Sequence, residues 1–490
     1  SKRRKRSRKT HPQIKIMKRA LITKYGILTA FAILCILCTP NPKQKNVRSD
    51  SQFSGKEGEV KLIVLDPGHF HASLLLKDTI RQVNDTVFVY APHGEELEQF
   101  LQTIKTYNSR KNSPTAWVLN VYDEADYLEK MISDKKGNVV ILAGNNKNKT
   151  EYIYRSIASK LNVLSDKPMA INRQGFELLE KTYQKADSND VYLYDMMTER
   201  YDILNIIEKE LIQNKELFGE LQQGTPDNPA ISMESVHHFY KEVSGVPTIR
   251  PAWYYDIEQQ GEGIADVTTH LIDLVNWKCF PEEAIDYKHD INLLSATHWP
   301  TKISLDEFTK STRLEKFPNF LIKYVKDSLL HVYANGTIHY QVKGMNTAIK
   351  VQWDFQAPEG GGDTFGSVIK GTKAVLKTRQ DKQQNYVKQL YIQKTDEVSN
   401  KEFEKNLQKT IEKIRLTYPF VSLSQPLPDG SVLINIPLEK REGHEEHFKY
   451  VAKQFFEYLV NRNMPDWEIS NTLAKYYITT KAVEIAKEEN

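Results

Sequence analysis

The chain has 490 residues, 40% hydrophobic and 27% charged, which is the ordinary balance of a globular protein. This length predicts two domains, or two and a small third, with enough chain to bury a core without disulfides or a metal. The formal net charge is +4, but the run from Lys2 to Lys9 supplies seven positive charges and leaves the remainder slightly acidic. This distribution argues against a nucleic-acid-binding surface, and we expect no nucleic-acid partner.

Residues 1–58 are predicted to be a leader and tether. The basic run is either a nuclear or membrane address or sequence ahead of a true start at Met17, and we favour the second interpretation. After Met17 come a charged stretch, a short apolar run at 26–38 and a polar segment. This order is typical of an export signal, and the apolar run is too short to span a bilayer. We expect a periplasmic protein with a lipid anchor at Cys38 or Cys35, although leucine precedes each where a small residue is usual. Simple secretion is the alternative.

Residues 59–195 alternate apolar strands with helices. This alternation predicts a Rossmann-like, doubly wound domain with a parallel sheet. The predicted elements are strands at 60–65, 86–90, 117–120, 138–143, 162–164 and 191–194, and helices at 72–80, 149–160 and 173–186.

Residues 196–490 are predicted to form an α/β substrate domain with a large, mostly antiparallel sheet, so the fold class is α/β. A homo-oligomer, if formed, is expected to use this sheet. Residues 376–410 are charged and are expected to be a surface excursion, and Asn335-Gly336 is a hairpin signal. The other predicted elements are strands at 230–239, 320–326, 329–334, 337–342 and 349–355, and helices at 200–214, 264–279, 444–462 and 468–488.

The first strand-to-helix turn, at 66–71, lies where a dinucleotide phosphate binds in doubly wound folds. Only Gly68 fits the pattern G-x-G-x-x-G, and no acid follows the second strand to hold ribose hydroxyls. His69 and His71 either face the ligand crevice or are solvated loop residues.

Lys167 and Pro168 follow the strand at 162–164, at the sheet edge where α/β proteins bind ligands. A lysine there can hydrogen-bond a substrate hydroxyl, or it is an ordinary surface residue. Asp266, His270 and Asp273 share one helical face. A histidine beside carboxylates can be a general base, but a helix cap with a core histidine, or a set of metal ligands, would give the same pattern.

Together these elements resemble the glucose–fructose oxidoreductase/inositol dehydrogenase (Gfo/Idh/MocA) family over residues 60–487. Residues 166–168 are similar to the family's Glu-Lys-Pro motif, and 261–273 to its Gly-rich stretch and Asp-x-x-x-His helix. Residues 143–146 resemble its turn after the fourth strand, and 371–373 its late Gly-Thr-Lys turn. Two further segments, 237–240 and 250–253, resemble an exported bacterial subgroup with a distinctive C-terminal oxidoreductase domain.

The resemblance implies an NAD- or NADP-dependent enzyme that takes hydride from a carbinol of a sugar, glycoside or cyclitol. His270 would take the hydroxyl proton, Lys167 would orient the hydroxyl, and Asp266 would bind substrate or hold His270. No metal is expected. The implied cofactor residues are Gly68, His69, His71, Ala143, Asn145, Asn146, Lys167 and Pro168. The implied substrate residues are Arg200, His238, Tyr240, Trp253 and Asp273.

Two other functions fit the same residues. An NAD-dependent glycoside hydrolase would oxidise the sugar transiently and then eliminate the leaving group. A non-catalytic carbohydrate-binding lipoprotein would have lost the cofactor, and the degenerate turn at 66–71 supports it. An enzyme outside the cytosol would need a tightly held, recycled cofactor.

Overall fold

The computed structural model describes residues 52–243 and 246–488. The leader and both candidate lipidation cysteines lie outside the described residues, so the lipid anchor stays a prediction. Among the described helices, none is both long enough and apolar enough to cross a bilayer.

Six short strands form the first sheet. All pair in parallel, in the order β3-β2-β1-β4-β5-β6, as predicted for a doubly wound domain. The order reverses between β1 and β4, and ligands bind at such switch points. The strands are β1 (Leu62–Leu65), β2 (Thr86–Tyr90), β3 (Val118–Tyr122), β4 (Val139–Leu142), β5 (Asn162–Ser165) and β6 (Leu193–Asp195). The helices are α1 (His71–Leu74), α2 (Glu95–Ser109), α3 (Tyr127–Asp134), α4 (Lys149–Ala158) and α5 (Arg173–Asn189).

The first helix is shorter than predicted. It ends at Leu74 instead of residue 80. The three consecutive leucines at 74–76 are all buried, so this run packs as a compact turn and has no single apolar face for a helix to bury.

A larger sheet dominates the second half. Its strands run in the order β12-β14-β15-β9-β16-β17-β18-β20-β19, with β13 on β14, and every pair is antiparallel except β15 with β9. This confirms the predicted large, mostly antiparallel sheet. The strands of this half are β7 (Gly224–Thr225), β8 (Asn228–Pro229), β9 (Ile231–Tyr240), β10 (Glu242–Val243), β11 (Val246–Pro247), β12 (Ile291–Ile303), β13 (Val325–Lys326), β14 (Leu329–Val342), β15 (Met345–Gln356), β16 (Thr364–Lys370), β17 (Ala374–Gln380), β18 (Gln389–Lys394), β19 (Ser422–Leu423) and β20 (Val432–Asn435). Of these, β7 pairs with β8 and β10 with β11 in two separate two-stranded sheets. The helices are α6 (Ile203–Gln213), α7 (Gly263–Asp266), α8 (Thr268–Cys279), α9 (Leu305–Thr312), α10 (Asn400–Arg415), α11 (His444–Asn461) and α12 (Asp466–Glu488).

The predicted hairpin at Asn335-Gly336 is wrong, because both residues lie inside the continuous strand β14. The Asn335 amide donates to the backbone oxygen of Trp299, where the register with β12 shifts. Gly336 is needed for packing, since a Cβ there would lie 2.3 Å from Cγ2 of Ile264 on α7. The hairpin turn actually falls at 343–344, where both residues have positive φ.

Two other segments also differ from prediction. Residues 319–324 form a 3-10 helix, and only 325–326 pair as a strand. Residues 376–410 are no surface excursion, because they hold most of β17, all of β18 and the first part of α10. Helix α10 is mostly charged, but it has a narrow apolar face that is buried and includes Phe403, Leu407 and Ile411.

The last two helices return to the parallel sheet. Phe448 and Phe455 of α11 join the core on one face of the parallel sheet, and Tyr476 of α12 joins the core on its other face. The predicted division at residues 195 and 196 therefore separates elements by chain order but not by packing. This return places α11 beside the carboxyl edge of the sheet.

Candidate active site

A lysine–carboxylate pair joins the end of β5 to the end of α7. Lys167 Nζ lies 2.5 Å from Asp266 Oδ1, and Gln260 Nε2 donates to Asp266 Oδ2 at 2.9 Å. Burial alone would raise the pKa of Asp266, but the positive charge of Lys167 outweighs burial and lowers it. Burial would likewise lower the pKa of Lys167, and the charge of Asp266 raises it instead. The structure thus brings two predicted site residues together as an ion pair.

His270 lies one helical turn beyond Asp266, on α8. Its Nδ1 is buried and has no hydrogen-bond partner among the described residues. Burial, together with the nearby charge of Lys167, lowers the pKa of His270 to about 4. This pKa favours the neutral imidazole at physiological pH.

A carboxylate that the sequence did not reveal faces this histidine. Glu199 is 3.5 Å from both Lys388 Nζ and His444 Nδ1, and Lys388 also pairs with Asp202 at 2.7 Å. Burial would raise the pKa of Glu199, but Lys388, His444 and His270 hold it well below its usual range. These residues come from three distant parts of the chain, so no local pattern could have grouped them.

Arg200 and Asp273 were predicted to bind substrate, but they form a buried network. The Arg200 guanidinium makes two 2.7 Å bonds to Asp273 and two bonds to Glu468, at 3.0 and 2.9 Å. Lys475 Nζ lies 2.8 Å from Asp195 and 3.2 Å from Asp273. Since a substrate would have to displace a bonded partner, these contacts favour a structural role for both residues over the predicted substrate contact.

The two histidines of the first turn converge on the end of β5. Asp166 Oδ2 lies 2.9 Å from His71 Nδ1 and 3.4 Å from His69 Nδ1. His71 is 6% exposed and packs its ring on Phe448. The alternative that it is a solvated loop residue is therefore wrong.

A crevice of about 280 Å³ opens at the switch point between β1 and β4. It contains the predicted Gly68 and Asn145, with Lys147 beside them. Trp253, predicted on the substrate side, lies here instead and donates from Nε1 to Glu96 Oε1 at 3.2 Å. The crevice is where a dinucleotide would lie in this fold.

Three other predicted cofactor residues are buried next to this crevice. Asn146 donates to the backbone oxygen of Gln260 at 2.8 Å and accepts from Lys149 Nζ at 2.5 Å, so its amide ties the turn to the later loop. The backbone oxygen of Ala143 accepts from the amide of His69 at 3.1 Å. Pro168 is buried directly after the site lysine.

The first residue of the phosphate turn is a carboxyl group. Asp66 takes a φ of +49°, at the position where the dinucleotide motif places its first glycine. Burial, together with the charge of Glu96, raises the pKa of Asp66 to about 6. This end of the crevice thus disfavours negative charge.

The remaining two predicted substrate residues, His238 and Tyr240, line a second cavity of about 440 Å³. His238 Nδ1 lies 2.8 Å from Asp363, which also binds Lys241. Burial lowers the pKa of the adjacent His237, and the charges of Lys241 and Lys167 add to this effect. The cluster around Asp363 is therefore within electrostatic reach of Lys167.

Comparisons with known proteins agree with this architecture. Residues 207–487 match the family described as "Putative oxidoreductase C terminal domain". The solved structure of a "putative oxidoreductase" from Parabacteroides merdae is 48% identical, covers 89% of this chain and 100% of its own, and has a TM-score of 0.88. A comparison with curated protein sequences gave no match.

More distant solved structures share the fold alone. GenD2 from gentamicin A biosynthesis, solved with NAD, is 13% identical over 90% of this chain and 97% of its own, with a TM-score of 0.53. The WlbA dehydrogenase of Bordetella pertussis, solved with NADH and UDP-GlcNAcA, is 12% identical over 89% and 98%, also at 0.53. On the family match and the 48% identity, the chain belongs to the Gfo/Idh/MocA-like oxidoreductases, in the group that carries this C-terminal domain.

Proposed function

We propose that this protein oxidises a carbinol of a sugar, glycoside or cyclitol with NAD or NADP as hydride acceptor. The observation that carries the proposal is the neutral His270, with a free Nδ1, beside the Lys167–Asp266 pair at the carboxyl edge of the parallel sheet. The nicotinamide cofactors bound to GenD2 and WlbA, and the sugar nucleotide bound to WlbA, support this choice of cofactor and substrate class.

The crevice at the switch point fits a dinucleotide in position and in its donor groups. Gly68 lies on its wall, where a Cβ would meet the backbone nitrogen of Asn145 at 3.5 Å, an ordinary contact distance. Lys147 supplies positive charge, and Trp253 an aromatic face. These residues would hold the cofactor, while Asp66 would oppose its phosphates when ionised.

When bound, the nicotinamide would take the hydride from the carbinol carbon. The imidazole of His270 accepts the hydroxyl proton as the C=O bond forms, so the substrate loses one hydride and one proton. Lys167 donates a hydrogen bond to the same oxygen and stabilises its developing negative charge. Asp266 keeps Lys167 charged and in place.

The test is a hydride-transfer assay on the purified full chain. With NAD and NADP in turn, D-glucose, methyl β-D-glucoside and myo-inositol serve as probes, and absorbance reports reduced cofactor. We expect reduction with at least one probe and its loss in Lys167→Met. Aglycone release without net reduction would favour the redox-assisted hydrolase, and no turnover with any probe would count against both enzymatic functions.

One observation favours a non-catalytic sugar-binding protein as the second candidate. Two carboxylates, Asp66 and Glu96, line the crevice where phosphates would bind, and this arrangement weakens any cofactor site. Such a protein would bind the sugar probes calorimetrically with equal affinity in the presence and absence of NAD(P). The oxidoreductase would bind them more tightly, or turn them over, once the cofactor is present.

We also propose export and lipid anchoring, on the charged, apolar and polar order of residues 17–42 alone. Fractionation of bacteria that express the full chain tests it. Wild type is expected with membranes, and a Cys35→Ser/Cys38→Ser double variant is expected in the soluble fraction. Membrane retention of the double variant would contradict the anchor.

A further inference from the structure

His69, His71 and Asp166 form a compact group of nitrogen and oxygen donors. The two histidines follow β1 and the aspartate follows β5, and all three reach the same edge because parallel strands end together. Their candidate ligand atoms all lie within 4.8 Å of one another. Neither the proposed hydride transfer nor the sugar-binding alternative gives His69 or His71 a role.

The separations match those of a small metal ion. Imidazole nitrogen and carboxylate oxygen bind zinc at about 2.0–2.2 Å. Two ligands of a tetrahedral ion at such bond lengths are then roughly 3.3 Å apart. Asp166 Oδ2 is 3.4 Å from His69 Nδ1 and 2.9 Å from His71 Nδ1, so both separations lie near that value.

One donor of the group makes no hydrogen bond. Nδ1 of His69 is buried, and although Asp166 Oδ2 lies 3.4 Å away, no described residue hydrogen-bonds to it. A buried polar atom without a partner is uncommon and costs free energy, about 1–3 kcal/mol for such a group. A ligand at this point would satisfy it.

The surroundings hold the donors in place. The His71 ring packs against two other rings, with centroid separations of 4.6 Å from Phe448 and 4.1 Å from His69. The backbone amide of Asp166 donates to the Leu142 carbonyl at 2.7 Å. The two nearest lysines are already engaged, Lys149 with Asn146 at 2.5 Å and Lys167 with Asp266 at 2.5 Å.

We propose that His69, His71 and Asp166 bind one divalent transition-metal ion, with zinc favoured by two imidazoles and a carboxylate. Three protein ligands leave a fourth position for water or a substrate hydroxyl, the arrangement of catalytic rather than structural sites. The His69 side chain is 24% exposed although its Nδ1 is buried, so the group lies close to solvent. The inference stands apart from the proposed hydride transfer.

The test uses the purified full chain, stripped with a chelator and titrated with Co²⁺ or Zn²⁺. We expect one ion per chain by elemental analysis, and visible absorption from Co²⁺ typical of four-coordinate nitrogen and oxygen ligands. Affinity should fall by at least about tenfold in His69→Gln and in Asp166→Asn. His69→Gln is the safer variant, because this side chain is partly exposed.

The matched control is His289→Gln. His289 also pairs with a carboxylate, Asp286 at 2.7 Å, but is 81% exposed and has no third donor. It should leave Co²⁺ affinity unchanged. A stripped protein that binds neither ion, or equal affinity in wild type and both site variants, would overturn the metal site. Nicotinamide binding, measured on the same samples, reports separately on the proposed function.

Discussion

Two turns at the same edge of the parallel sheet have opposite electrostatics. After β5, Lys167 forms an ion pair with Asp266 at the end of α7. After β1, Asp66 forms no ion pair with a cation among the described residues, and burial together with the charge of nearby Glu96 raises its pKa to about 6. The residues of the proposed proton-transfer centre are therefore already paired, whereas the phosphate turn needs a change of charge before it suits a dinucleotide.

The largest expected effect comes from the assembled side. His270→Ala should lower the hydride-transfer rate by roughly 10²- to 10⁴-fold, the usual contribution of a general base. Because burial and Lys167 lower the pKa of His270 to about 4, its protonation should reduce the wild-type rate only near pH 4. Steady-state kinetics against pH provides the measurement, with His289→Gln as control. Near-normal activity in His270→Ala would remove the histidine from the centre.

Arg200→Met addresses the buried network under that centre. Breaking a buried ion pair on one side leaves charges unpaired, here on Asp273 and Glu468, and costs about 3–5 kcal/mol of unfolding free energy. Denaturant unfolding measures it, and the exposed pair Lys215–Glu220 offers Lys215→Met as a control with little effect. Unchanged stability with a raised KM would instead restore Arg200 as a substrate ligand.

Asp66→Asn tests the other turn. The pKa of Asp66 is higher in the folded protein than the unfolded value of about 3.9. As far as this carboxyl is concerned, the protein is therefore most stable below about pH 4, where the group is neutral, and loses stability as the pH rises through about 6. The variant should gain up to about 3 kcal/mol at pH 8, and little at pH 4.5. Asparagine also tolerates the positive φ.

Cofactor affinity provides the second readout for Asp66→Asn. Removing a negative charge next to the phosphates should tighten NAD(P) binding at pH 8, and wild type should bind more tightly at pH 5.5 than at pH 8. Calorimetric titration at both values measures this, with the exposed Asp227→Asn as control. Binding that is independent of pH and of this substitution would place the phosphates elsewhere.

The smallest effect concerns the helix that carries Asp266. Gly336→Ala would place a Cβ 2.3 Å from Ile264 on α7 and should cost roughly 1 kcal/mol or more. Gly344→Ala meets nothing within 4 Å, and only its φ of +82° opposes the change. Thermal unfolding compares the two. Equal shifts in Tm would show that α7 adapts freely to β14.

The sequence predicted the parallel sheet well, because its strands are short apolar runs that end in turns. It also placed Lys167 at a strand end, as in the structure, whereas the single helix predicted for Asp266 and His270 is divided between α7 and α8. The pairing of Asn335-Gly336 with β12 was missed, because a buried strand bulge and a hairpin turn favour the same two residue types.

Residues joined only by the tertiary fold were beyond local patterns. Glu199 and His444 come together because α11 returns to the first sheet after more than two hundred residues. Arg200 and Asp273 looked like ligands because charged residues near a site often are, and only the position of Glu468 and Lys475 on α12 reveals their structural role.

The most direct test of the central claim is the nicotinamide content and binding of the purified protein. The chain is denatured, the supernatant is analysed for NAD(H) and NADP(H), and native protein is titrated with NADH and NADPH by fluorescence. We predict either about one nucleotide released per chain or saturable binding of one of them, weakened at high pH by Asp66. No released nucleotide together with no binding of either cofactor at pH 5.5 and pH 8 would contradict the account.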